Sequence, residues 1–393
     1  MKSKRFLSLL LALAMVFSLF APQVVLAAAV SEDGSYKNVI FMIGDGMGEN
    51  HLRLAVQEGY DLFMVENADL RGQSKTRSLS DSVTDSAAGA TALACGVRNT
   101  NGCVGTYSID PSGILLRPRS ITENAIAHGM KTGVVTTDST AGATPAGFSA
   151  HVKARGMAEE ITAQQLASDI DLIWGAAVDA TNREAVEAMG ITYVSNKAEL
   201  KALAPGSRSF GQFSGSFWRP APLDNSGLPT LEELTVKAIS LLNADNENGF
   251  FLMVEGAHID KNSHATAEDG TADYAEKHER VAAAVKGFDN AVKAAVEFAR
   301  EDGDTLVVVT ADHETGSLYL EGGVYRFHSG SHSGANVPLL VYCCSDLITE
   351  SAAVPNRSIP GRIAEKLGWS SLEFPKADPG SFLTKLKNML KRS

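Results

Sequence analysis

The 393-residue chain holds only four cysteines, Cys95, Cys103, Cys343 and Cys344. That is too few for a disulfide scaffold, and the pattern lacks the two separated C-x-x-C pairs of a zinc ribbon. In an oxidising compartment Cys95 and Cys103 either close a small loop or stay as buried thiols, and nothing in their setting suggests cysteine catalysis. Positive charge is in deficit: 35 lysines and arginines face 46 acidic residues, a formal net charge of −11. A surface of that sign repels a nucleic-acid backbone, so nucleic acid is disfavoured as a main partner. Pro/Ser-rich linkers, low-complexity tracts and internal repeats are missing, which favours one large domain over two smaller ones. Beyond the N-terminal segment no stretch is long and apolar enough to span a bilayer.

That N-terminal segment reads as a secretory signal. Lys2, Lys4 and Arg5 precede an apolar run from Phe6 to Phe20, and Ala27-Ala28-Ala29 offers a small-residue cleavage site. The alternative, an uncleaved membrane anchor, needs a longer apolar core. Removing residues 1–29 takes away three positive charges and no acid, which moves the net charge from −11 to −14. The mature chain, residues 30–393, is expected to be a single catalytic domain. It should be exported to the periplasm or beyond, with no stable membrane anchor.

Within it, short apolar runs alternate with helical patterns. Strands are predicted at Asn38–Ile43, Lys131–Thr137, Asp171–Gly175, Phe250–Val254, Thr305–Thr310 and Val337–Tyr342. Continuous apolar runs of this kind suit a parallel sheet covered on both faces. Capping boxes at Ser120-x-x-Glu123 and Thr230-x-x-Glu233 open two helices, and Val281, Val285, Phe288, Val292 and Val296 share one face of a third. The alternation predicts an α/β three-layer sandwich, a mostly parallel central sheet with helices on both faces. Residues 181–229, rich in Gly, Ser and Pro with aromatic stretches such as Phe217-Trp218, read as an inserted loop region near the site or at an interface.

The carboxyl ends of such strands form the functional rim. Asp45 follows the first strand, Glu255, Asp260 and His264 follow the fourth, and Asp312-His313 follows the fifth. With His332 these acids and imidazoles are the ligand types of paired divalent cations, and the mix suits zinc. Taken singly, each also fits a turn acid, a helix cap or a solvated face; recurrence at successive strand ends is what points to a site. Ser86 stands at the start of a small-residue helix, Ala87 to Ala94, where backbone N–H groups favour a phosphate. An ordinary Ser N-cap is the competing reading.

Six segments in order resemble the motif series of alkaline phosphatases: Gly44-Asp45-Gly46-Met47-Gly48, Thr84-Asp85-Ser86-Ala87-Ala88, Thr144-Pro145-Ala146, Val254-Glu255-Gly256-Ala257, Thr310-Ala311-Asp312-His313 and His332-Ser333-Gly334. The resemblance implies hydrolysis of small phosphate monoesters with Ser86 as nucleophile and metal ligand, through a phosphoserine intermediate. It implies two zinc ions, one on Asp45, Asp312 and His313, the other on Asp260, His264 and His332. A magnesium ion would lie on Asp45, Thr144 and Glu255. Arg155, eleven residues beyond Thr144, would grip the phosphate, and Lys261 would contact it through water. The family is commonly homodimeric.

One position departs from the pattern. Many members carry Asp or His two residues before the magnesium-site threonine, and this chain has Gly142; weaker magnesium retention is the expectation. A phosphodiesterase or other hydrolase of the same superfamily is the alternative. The C/S-x-P-x-R context of a sulfatase is absent around Ser86, and Ser86 with Arg155 favours monoesters. The remaining histidines, His51, His128, His151, His258, His278 and His328, read as structural, with His328, four residues before His332, the one to follow.

Overall fold

The computed structural model describes residues 35–108, 115–178, 181–213, 227–264 and 274–370; the signal segment 1–29 lies outside them. Ten strands form the main sheet: β1 Asn38–Gly44, β2 Leu70–Lys75, β3 Lys131–Ser139, β4 Leu172–Ala176, β5 Thr192–Val194, β6 Ser209–Phe213, β7 Phe250–Gly256, β8 Thr305–Thr310, β9 Val337–Tyr342 and β10 Ala353–Pro355. Their order across the sheet is β10-β2-β9-β8-β1-β7-β3-β4-β6-β5. All six predicted strands are present. Five run parallel to one another, while β9 pairs antiparallel with both β8 and β2. The sheet is mostly parallel, as expected; β9 carries the same apolar run because burial on both faces writes that pattern whichever way a strand runs.

The central position of β1 explains its composition. Val39, Ile40, Phe41, Met42 and Ile43 are fully buried. Each such side chain stabilises by about 1.5–3 kcal/mol. Ile40 and Met42 face Leu234, Val285, Phe288 and Val292. Val39, Phe41 and Ile43 face Ala90, Ile121 and Phe148. The helices concerned are α1 Ser86–Cys95, α2 Ile121–Ala127, α3 Ala143–Ser149, α4 Leu231–Asn243 and, beyond α5 His258–His264, the long α6 Tyr274–Asp302. Three layers result, with α1, α2 and α3 on one face and α4 and α6 on the other. Among the described residues no helix is long and apolar enough to cross a membrane.

Residues 181–213 are not an inserted loop. They build the far sheet edge: β5, β6 and the short helices Arg183–Ala188 and Lys197–Ala202. Phe210 and Phe213 are buried there, and Phe217-Trp218 lies outside the described residues. Cys95 and Cys103 are both free, so the small disulfide loop is not formed.

His151 joins the segment after α3 to α2 and to the Gly105 turn. Its Nδ1 meets the Gly105 carbonyl and its Nε2 lies 2.9 Å from Glu123 Oε1. Burial alone would lower the His151 pKa, but the hydrogen bond and charge of Glu123 outweigh it and raise it. Burial pushes Glu123 up, and its bonds to His151 and Ser120 bring it below the usual range. The ionic contribution is therefore present while His151 is protonated, and it is lost as pH rises through the raised His151 pKa. Glu123→Gln keeps the capping box, which accepts Gln, and removes the charge. Thermal melts should show a larger loss at pH 6 than at pH 9, the difference being about 1 kcal/mol or less because Glu123 is 41% exposed. An equal loss at both pH values would contradict the assignment.

Candidate active site

Strands β1, β7 and β8 lie side by side and parallel, so Asp45, Glu255, Asp312 and His313 emerge at one rim. The antiparallel β9 begins at that same rim. The segment before it therefore arrives there too, and Thr315 pairs with His332 in a two-residue ladder. Asp45 N–H donates to the Gly256 carbonyl at 3.2 Å, and Gly46 N–H donates to Asp312 Oδ1 at 3.2 Å.

Three polar clusters follow. In the first, His313 Nε2 lies 3.5 Å from Asp45 Oδ1 and 3.2 Å from Asp312 Oδ2. Asp45 Oδ1 and Asp312 Oδ2 are buried without a hydrogen-bond partner. In the second, His264 Nε2 is 3.1 Å from both Asp260 Oδ1 and His332 Nε2, and His332 Nε2 is 3.6 Å from Asp260 Oδ1. The far nitrogens are anchored on carbonyls, His264 Nδ1 on Gly330 at 2.7 Å and His332 Nδ1 on Thr84 at 3.0 Å. With Nδ1 as donor, two Nε2 lone pairs converge on a carboxylate, an arrangement suited to a cation. Ligand atoms of Asp260, His313 and His332 also lie within 4.8 Å of one another. His313, assigned from sequence to the first set alone, thus borders both. In the third, Thr136 Oγ1 donates to Glu255 Oε2, and Glu255 Oε1 and Thr144 Oγ1 are buried with no partner.

The electrostatics match the crowding. Burial, then the charges of Asp312, Asp260 and Glu255, raise Asp45 well above the carboxylate range. Burial, then the charge of Asp138, pushes Glu255 up to about 8. Burial works against Asp260 too, but bonds from His264 and Thr315 and the charge of His313 hold it low. Burial and then His313 lower His332. Orphaned oxygens and repelling carboxylates at one rim fit resident divalent cations.

Ser86 is the first residue of α1, not its cap. Asp85 is the cap, its Oδ1 accepting from Ala88 N–H at 3.0 Å. The hydroxyl of buried Ser86 is left 3.1 Å from His313 Nε2. The other oxygen of Asp85 accepts from Gly102 N–H at 2.9 Å and meets Arg155 Nη1 at 3.3 Å, which keeps the guanidinium beside the serine. Lys261 pairs with Asp138. Sequence reasoning missed Asp85, Thr136 and Asp138; a carboxylate two residues beyond Thr136 on the same strand end was the available signal for Asp138. His328 stacks on Tyr319 at 3.9 Å and His128 on Trp369 at 4.4 Å. Buried His258 is pushed down to about 4 by burial and by Lys261.

A family model described as "Alkaline phosphatase" matches residues 36–174 and 164–341. The chain belongs to the alkaline phosphatase family. It is a phosphatase, a metal-dependent hydrolase of small phosphate monoesters. It is 37% identical over 345 residues to alkaline phosphatase H of Pseudomonas aeruginosa (strain UCBPP-PA14), a match covering 70% of this chain and 69% of that protein. The alkaline phosphatase of the Antarctic bacterium TAB5 superposes with a TM-score of 0.69 at 29% identity, over 86% of this chain and 99% of that one. A histidine-to-aspartate variant of the TAB5 enzyme, solved with magnesium in its M3 site, superposes at 0.70 with 30% identity over the same shares.

The approach of α1 to the rim is close. A Cβ on Gly89 would come within 2.8 Å of the Asp312 carbonyl oxygen and 3.0 Å of its Cβ. Helix propensity favours Ala over Gly by about 1 kcal/mol. Gly89→Ala should nonetheless lower both the melting temperature and phosphatase turnover, the latter by roughly tenfold or more as Asp312 is displaced. Unchanged turnover would show that the contact relaxes freely.

Proposed function

We propose that the phosphoryl group passes from the monoester to Ser86 Oγ and then to water. The observation that carries this reading is the Ser86 hydroxyl, free of capping duty and 3.1 Å from His313 at the first turn of α1. The Oγ–P bond forms as the ester P–O bond breaks and the alcohol leaves. Water then breaks the Oγ–P bond, which releases inorganic phosphate and restores the hydroxyl.

The residues fit three cations. Asp45, Asp312 and His313, with Ser86 itself, would hold one zinc ion; Asp260, His264 and His332 a second; Asp45, Thr144 and Glu255 a magnesium. When bound, such ions screen the anionic ester and lower the pKa of the attacking hydroxyl. The magnesium in the M3 site of the TAB5 variant supports a third ion. The chain's own contribution is orientation. The open N–H groups of α1 and its dipole face the incoming anion. Arg155, 44% exposed at its side chain, can swing from Asp85 to two non-bridging phosphate oxygens. Its planar fork needs both of them, so a monoester fits better than a diester. Export through residues 1–29 and assembly as a homodimer complete the proposal; the apolar Phe6–Phe20 run and Ala27–Ala29 support the former.

Turnover of p-nitrophenyl phosphate tests the chemistry. A chelator should abolish it, and chelator-resistant activity would remove the metal requirement. Ser86→Ala should lose at least roughly a thousandfold in kcat, and full activity would eliminate the nucleophile. Arg155→Ala should lose about 10- to 100-fold in kcat/KM, the value of a charge-assisted pair. N-terminal sequencing of the exported protein should find a start just after Ala27–Ala29; an intact Met1 would refute cleavage.

A further inference from the structure

Gly142 is the N-cap of α3 and precedes the Thr144 of the third cluster by two residues. The space a side chain would need there is taken. A Cβ on Gly142 would fall 2.4 Å from Asp138 Oδ2 and 2.9 Å from both Asp138 Cγ and the Ser139 carbonyl oxygen. The carboxylate of Asp138 already fills the place that an acid at 142 would use.

Asp138 reaches that place because β3 breaks its regular pairing. The register against β4 shifts between Val135 and Ser139, and an irregularity of this kind beside a functional rim re-aims a side chain. Two hydrogen bonds then join Asp138 to the third cluster: its N–H donates to Thr136 Oγ1 at 2.7 Å, and Thr136 Oγ1 donates to Glu255 Oε2. On its other side Oδ1 pairs with Lys261 Nζ. The partnerless atoms of this cluster, Glu255 Oε1 and Thr144 Oγ1, belong to residues exposed by 1% or less.

We propose that Asp138 supplies the carboxylate of the third metal site, entering from β3 through the space that Gly142 leaves open, and that it fixes Lys261 beside that site. The inference rests on the three-cation reading above. Magnesium keeps several waters and needs few direct carboxylates, so an acid held through those waters serves it. Asp138 is a positioning residue in this arrangement. Retention of magnesium is then set by Asp138 and is not weakened by the glycine. Positions 138 and 142 form an exclusive pair: one carries the acid and the other must stay without a side chain.

Isothermal titration of magnesium into zinc-loaded, magnesium-depleted enzyme tests this without reading activity, with zinc content measured alongside. Asp138→Ala should weaken the magnesium Kd by roughly 10- to 100-fold while zinc content is unchanged. Asp138→Asn, which keeps the shape and hydrogen-bonding oxygen of the side chain but not its charge, should weaken binding to a similar extent; a purely structural role for Asp138 predicts near-wild-type affinity in this variant. Wild-type affinity in Asp138→Ala or in Asp138→Asn would overturn the assignment and leave the phosphatase reading standing. Wild-type protein that takes up no third ion would instead overturn the three-cation reading, and this inference with it.

Discussion

Like charges brought together where water is excluded are the constraint around which this molecule is arranged. Asp45, Glu255 and Asp312 are at most 6% exposed and Asp260 is 8% exposed. Burial and mutual repulsion push the first two toward their neutral forms. A fold that held such a set only for its own stability would do better with apolar residues. The sheet instead supplies the rigidity that keeps them close: β1, β7 and β8 share registers in which Ile43 stands opposite both Thr310 and Glu255. The acids therefore cannot splay apart, and the repulsion is left for cations to cancel.

The serine depends on the same rigidity by a different route. Helix α1 is built of small residues, all of them buried, so that it can lie against the Asp312 backbone at Gly89 and against α3. That closeness brings Ser86 to His313. Capping by the preceding residue, Asp85, leaves the hydroxyl to His313. The site thus combines metal-ligating residue types on strand ends with a buried serine hydroxyl on a helix end, and both are positioned by backbone contacts.

How much of this could be read from sequence follows from where each residue sits. Strands in the sheet centre are buried on both faces, so β1, β7 and β8 announce themselves as unbroken apolar runs. Strands toward the sheet edges have no such signature: β2, beside the edge strand β10, is Leu-Arg-Gly-Gln-Ser-Lys, alternating between covered and exposed positions, and β5 and β6 lay in a stretch whose glycines and serines suggested a loop. The metal-type residues were legible because chemistry restricts their identity. Asp85, Thr136 and Asp138 were not, since Asp and Thr are common at caps and strand ends for unrelated reasons. Gly142 was visible as a missing acid. Its partner became visible only in three dimensions, because the two residues meet across an irregularity in β3 that no periodicity encodes.

The pairing of Arg155 with Asp85 has a kinetic side. One carboxylate closes the helix, secures the Gly102 turn and occupies the guanidinium. Under the proposed role of Arg155, Asp85 is a built-in competitor for the cation that an incoming phosphate must win. Phosphate would then be held more weakly than by a bare arginine, and the ion just produced would be displaced by a group that never diffuses away. An enzyme whose product is a tightly gripped anion gains turnover from such a resident rival.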